Sequence, residues 1–160
     1  MSDAARLVGA LRERGWTLGV AESLTGGAVA SEIVSVPGAS AVLLGGVVAY
    51  ATPLKHSLLG VDAVLLAEHG PVHPDVAVQM AEGVRRAVAV DGRAADVGIA
   101  TTGIAGPDSP DGQPVGTVHI GVVTRRGRRS IPHLFTGTRA EVRQQAVAAA
   151  VAAALRSVGE

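Results

Sequence analysis

The segment WTLGVAESLTGGAVASEIV, residues 16–34, passes from a short apolar run through Glu22, Ser23 and two glycines into helical spacing. Trp16 to Ala21 has the length and flanking turn of a buried strand that ends at Glu22 and Ser23. Thr25 to Val34 then reads as a helix, with Thr25 as its N-cap and Gly26 and Gly27 in its first turn. A strand that turns through small residues into a helix opens a strand–helix–strand unit, whose strands lie parallel.

The same alternation extends outward in both directions. Upstream, Leu7, Val8 and Leu11 give Ala4–Arg14 a helical stripe, which Gly15 stops. Downstream, Ala41–Tyr50 is a second apolar strand, and Pro53 sets off a short helical turn carrying Lys55. Asp62 caps a short helix over 62–68. Pro74 suits the first position of a long helix to Val90, whose stripe is Val76, Met80, Val84 and Val88. Asp96–Thr101 is a third strand, and the Gly-, Pro- and Asp-rich loop from Gly103 to Pro114 has the length of a functional loop. Val115–Thr124 and Ser130–Phe135 flank a tip at 125–129 and read as a hairpin. An Ala-rich helix, entered through Gly137 and Thr138, runs from about Arg139 to Ser157. The expected architecture is α/β: one domain over residues 1–160, a three-layer α/β/α sandwich around a mixed five-stranded sheet.

At 160 residues and 48% apolar composition the chain has material for one core. That core must be aliphatic, because there is one Trp, one Tyr and one Phe. Fourteen basic and fourteen acidic residues cancel, so no global field draws in nucleic acid or an anionic membrane, and neither is expected as a partner. Arg125, Arg126, Arg128 and Arg129 around Gly127 read as a solvated hairpin tip. The absence of cysteine excludes disulfides, zinc–thiolate sites and a cysteine nucleophile. Charges at Asp3, Arg6, Arg12 and Glu13 argue against a signal peptide, and no segment approaches the ~20 apolar residues of a membrane span. A cytoplasmic protein is the expectation.

Three segments of small or polar residues fall at strand ends, over 21–27, 50–55 and 101–107, where sheets of this kind bind ligands. Ser23 is either a nucleophile near unpaired backbone N–H groups or, with Thr25, a helix cap. A serine needs a base. His69 and His73 have the i, i+4 spacing of a metal pair, but Gly70 and Pro71 interrupt any helix between them, and no metal site is expected. Lys55 is the only lysine, and arginine stays protonated. Desolvation in an aliphatic pocket would favour the neutral amine of Lys55. Tyr50 either relays a proton to that amine or is a ring with its hydroxyl at the surface.

AESLTGG at 21–27, GGVVAY at 45–50 with Lys55 following, ATTGIAGP at 100–107 and PVGTVHIG at 114–121 together resemble the CinA C-terminal domain family. Gly137, Arg139 and Arg143 fit the same pattern. The resemblance covers nearly the whole chain. It implies a nicotinamide mononucleotide amidohydrolase in which Ser23 attacks the amide, Lys55 activates it and Tyr50 assists, with no metal or organic cofactor. It further implies substrate contacts at Thr25, Gly26, Gly27, Thr102 and Gly103, with Arg139, or alternatively Arg143, on the substrate's anionic part. The expected partners are the small-molecule nucleotide and a second copy of the chain; the apolar face of Ala146 to Leu155 either pairs across that dimer or packs on its own sheet. The alternatives are a non-catalytic nucleotide-binding module and a Ser–Lys hydrolase of another amide. Many relatives carry this domain behind one that acts on nucleotide pyrophosphates; the stand-alone form is expected here, without that activity. Two departures stand out. His73 takes the place of a helix-capping serine, and Thr138 that of an aspartate before the last helix.

Overall fold

The computed structural model describes residues 1–160. Its elements run α1 (Asp3–Arg14), β1 (Leu18–Glu22), α2 (Ala28–Val34), β2 (Leu43–Val48), α3 (Thr52–Leu59), α4 (Ala63–His69), α5 (Pro74–Ala87), β3 (Val97–Gly103), β4 (Thr117–Thr124), β5 (Gly127–Leu134) and α6 (Arg139–Gly159). The sheet order is β2-β1-β3-β4-β5. β1 is parallel to β2 and β3, while β4 and β5 are antiparallel additions at one edge. The mixed sheet expected from the closing hairpin is the one observed.

Alternation along the strands sends side chains to two separate cores. Val20, Ile99, Val118 and Ile120 pack with α1, α2 and α6 on one face. Ala21, Ala100 and Val123 pack with Leu59, Leu66 and the Val76, Met80 and Val84 stripe of α5 on the other. The second layer sits very close to the sheet. A Cβ on Gly98 would lie 1.9 Å from the Ala81 carbonyl oxygen, and one on Gly121 2.1 Å from that of Ala77. Glycine at these strand positions therefore lets the α5 backbone rest directly on β3 and β4.

Helix ends follow their local chemistry. Thr138 and Glu141 form a reciprocal capping box at the start of α6, so the residue standing in place of an aspartate serves as the cap. His73 Nδ1 accepts from Asp75 N–H at the start of α5, in the position of the serine it replaces.

Three expectations need correction. α2 begins at Ala28 rather than Thr25, because Gly26 and Gly27 turn left-handed (φ 61° and 102°) and Gly27 is the cap residue. α5 ends at Ala87, so Val88 packs from beyond the helix. The hairpin tip contracts to Arg125 and Arg126, since Gly127, Arg128 and Arg129 pair with Thr124, Val123 and Val122. Of the two roles open to the apolar face of α6, the structure shows packing on its own core, with Ala146, Ala150, Val151, Ala153 and Ala154 buried. No helix is long and apolar enough to cross a membrane.

Gly121→Ala forces a methyl group against a backbone oxygen that cannot rotate away. Urea unfolding of this variant should show a midpoint shift equivalent to a loss of about 1–3 kcal/mol with the slope unchanged. An unshifted midpoint would mean that α5 can lift off the sheet without cost.

Candidate active site

β1 ends at Glu22, which places Ser23 just past the carboxyl end of the strand. Ser23 N–H donates to the Thr101 carbonyl in β3 at 3.2 Å, and the Glu22 carbonyl accepts from Ala49 N–H at 2.9 Å. The Glu22 side chain, 1% exposed, turns back beneath α2. Its two oxygens accept from Val29 N–H at 2.8 Å and Ala30 N–H at 3.0 Å, neutralising two unpaired donors of that helix. The Thr25 hydroxyl bonds that of Thr101 at 2.8 Å. The turn carrying Ser23 is thus tied to β3 and to α2 at once.

Lys55 lies in the first half of α3 and its side chain runs inward to 1% exposure. Its Nζ is 2.9 Å from Ser23 Oγ, 2.7 Å from the Ala49 carbonyl oxygen and 3.5 Å from that of Tyr50. No carboxylate pairs with it, and desolvation by burial pushes its pKa down to about 8. A neutral amine has two N–H donors and one lone pair. As an ammonium Lys55 donates to Ser23 Oγ and both carbonyls; once neutral, above a pH of about 8, it can keep the two carbonyls as acceptors and turn its lone pair to the Ser23 hydroxyl.

A cavity of about 430 Å³ opens over this pair. Thr102, Gly103 and Arg139 line it together with Ser23, Lys55 and Tyr50. Arg139 donates from Nη1 to the Gly106 carbonyl at 2.7 Å and from Nη2 to the Tyr50 hydroxyl at 3.2 Å. Tyr50 is 61% exposed, and its phenol makes no hydrogen bond with Lys55 or Ser23. What it offers the amine is its carbonyl, so the phenol stands as a surface hydroxyl that steadies Arg139. Thr25 and the two glycines are not in the cavity wall. The Thr25 hydroxyl is committed to Thr101, Gly26 N–H donates to the Ser23 carbonyl at 3.1 Å, and Gly27 lies beside Val48. Arg143 is outside as well, with Nε donating to the Leu24 carbonyl at 2.9 Å and Nη2 to that of Thr25 at 3.2 Å. Of the two arginines, Arg139 is the one at the cavity.

Three features escape a reading of spacing alone. Glu22 caps a helix that starts six residues later, outside any capping-box interval. Asp108 and Asp111 bring carboxylates into the cavity wall from the long loop. Arg143 reaches its carbonyls across 119 residues of sequence. The rings of His69 and His73 lie 4.9 Å apart, tilted by 38°, and no group of three His, Cys, Asp or Glu side chains has the arrangement of a metal site.

A model of the CinA C-terminal domain matches residues 2–158. A CinA-like protein of Frankia casuarinae is 45% identical over 91% of this chain and 32% of its own length. Another, from Anaeromyxobacter dehalogenans, is 49% identical over 88% of this chain and 33% of its own. The chain thus spans about a third of the length of these curated relatives. Among solved structures, a CinA superfamily protein from Klebsiella pneumoniae superposes with a TM-score of 0.91 at 34% identity, covering 98% of this chain and 96% of that one. The competence/damage inducible protein CihA from Agrobacterium tumefaciens gives 0.87 at 31% identity, over 99% and 94%.

Glu22→Gln keeps the shape of the buried side chain but leaves only one acceptor for two N–H groups. Chemical denaturation should report a loss of about 1–3 kcal/mol. Unchanged stability would mean that the carboxylate is not what closes the start of α2.

Proposed function

The chain belongs to the CinA C-terminal domain family, and we propose that it hydrolyses the carboxamide of nicotinamide mononucleotide through Ser23 and Lys55. The observation that carries this reading is the 2.9 Å contact between Ser23 Oγ and a buried lysine amine with no counter-charge. Ser23 Oγ attacks the amide carbon as Lys55 Nζ takes its proton. The resulting tetrahedral adduct collapses with cleavage of the C–N bond, and Lys55 returns the proton to the departing ammonia. Water then attacks the acyl-enzyme, again giving its proton to Lys55. Collapse of the second adduct passes that proton back to Ser23 Oγ and releases nicotinate mononucleotide. The mechanism needs no metal or organic cofactor.

The cavity's charges suit a ligand of mixed sign. Arg139, held by Gly106 and Tyr50, is placed for a phosphate, whereas Asp108 and Asp111 suit a cationic pyridinium ring. Tyr50 contributes as the support of Arg139 and through its carbonyl to Lys55.

Ammonia and nicotinate mononucleotide should form in equal amounts from nicotinamide mononucleotide without added metal. Ser23→Ala should lower turnover by at least about 10⁴-fold. Full activity in that variant would remove Ser23 as the nucleophile, and tight binding with no turnover in the unmodified protein would favour a nucleotide-binding module.

The proton balance sets the pH profile. Lys55 acts only when neutral, so kcat/KM should rise tenfold per pH unit below about 8 and level off above it. A profile flat from pH 6 to 9, values that bracket this pKa by about one to two units, would exclude Lys55 as the base.

A further inference from the structure

The sheet ends on β2 at one side and on β5 at the other, and the two edges are built differently. β5 carries Arg128, Arg129 and Pro132, all exposed, and charges and proline are what keep a free edge from accepting another strand. β2, with the sequence LLGGVV, has neither, and no charged residue occurs between Glu32 and Lys55. A bulge interrupts the start of β2, but Gly45–Val48 pair regularly with Gly19–Glu22. Ala49 N–H donates to the Glu22 carbonyl. Successive residues of a strand turn their main-chain groups to alternate sides, so Val47 and Gly45 also face β1 while Gly46 and Val48 face outward. No hydrogen bond outside the β1–β2 ladder reaches any main-chain group of residues 43–48.

The side chains along this edge are apolar and partly uncovered. Val48 is 45% exposed and lies on the α2 face of the sheet, its Cγ2 3.8 Å from where a Cβ on Gly27 would stand. On the same face, at the start of β2, Val34, Val36, Pro37 and Leu43 line a hollow of about 360 Å³, and Val34 is 64% exposed.

We propose that β2 is the surface through which two copies of this chain associate, pairing antiparallel about a two-fold axis at Gly46 and joining their two five-stranded sheets into one. Residues that pair across strands share a face of the sheet, so a two-fold axis normal to the sheet falls on a residue and not between two. Gly46 is the outward-facing residue at the middle of the edge. An axis there sets Val48 of each copy opposite Leu44 of the other and brings it beside the partner's hollow. Every facing position is then apolar or glycine, and no like charges meet. An edge without charge, symmetric about its central outward residue, complements itself, which is why the occupant is a second copy. The proposal does not depend on the reaction assigned to Ser23.

Sedimentation velocity at micromolar concentration should show the unmodified chain as a dimer. Leu44→Glu/Val48→Glu places carboxylates opposite one another and should weaken association at least about tenfold. Leu44→Lys/Val48→Glu charges the same two positions with opposite signs and should recover it. Arg128→Glu, on the far edge, should leave association unchanged. In Leu44→Cys/Val48→Cys the two thiols of one copy stand four residues apart on an extended strand, roughly 13 Å, beyond the reach of a disulfide. The chain has no other cysteine, so oxidation should link two copies and double the intact mass.

A monomeric unmodified chain would overturn the proposal and leave the edge to a strand of another protein. Undiminished association in both charged pairs would place the contact elsewhere and overturn it as well. Loss in both pairs, with the fold intact by circular dichroism, would refute the pairing about Gly46. If the charged pairs fail to fold, the cysteine pair decides: linked copies sustain the interface, and an unlinked, folded protein removes it.

Discussion

An amine buried to 1% exposure without a carboxylate is the feature around which the rest is arranged. Burial removes the water that would stabilise the charge of Lys55, and the aliphatic core offers nothing in exchange except two carbonyls and the Ser23 hydroxyl. Those three acceptors can be met by either form of the amine, and it is desolvation that weakens the hold on the proton, lowering the pKa to about 8. A chain with a single lysine concentrates this effect at one position.

Topology explains why that position is beside Ser23. The chain leaves β1 for β2 through α2 on one face of the sheet and returns to β3 through α3, α4 and α5 on the other. The first connection leaves β1 and the second leaves its neighbour β2 on the opposite face of the sheet, and a crevice opens past the carboxyl ends at this switch point. Ser23 follows β1, Ala49 and Tyr50 follow β2, and Thr102 and Gly103 close β3, so three separate segments meet there. α3 starts immediately after β2, which swings Lys55 back under the crevice.

The loop bearing the nucleophile is held by unlike devices. Glu22 neutralises the start of α2, the Thr25–Thr101 hydroxyl pair ties the turn to β3, and Arg143 grips two of its carbonyls from α6. Each uses a polar group that is costly to bury unpaired, so each has few alternative arrangements.

Periodicity and local chemistry made the elements, the mixed sheet and the segments bearing Ser23 and Lys55 readable in the residues, because each depends on spacings of a few positions; the division of the one expected core into two, on opposite faces of the sheet, was not. The start of α2 and the extent of the hairpin tip escaped that reading. Left-handed Gly26 and Gly27 delay the helix, and the strand register claims Gly127, Arg128 and Arg129. The choice between Arg139 and Arg143, the exposed phenol of Tyr50, the inward carboxylate of Glu22 and the apolar face used up by α6 are all products of the assembled fold. Each turns on which atoms stand within hydrogen-bond or packing distance once α6 lies against a loop 119 residues earlier in the chain. Short-range spacing carries no record of such distances, and they exist only when the layers are packed.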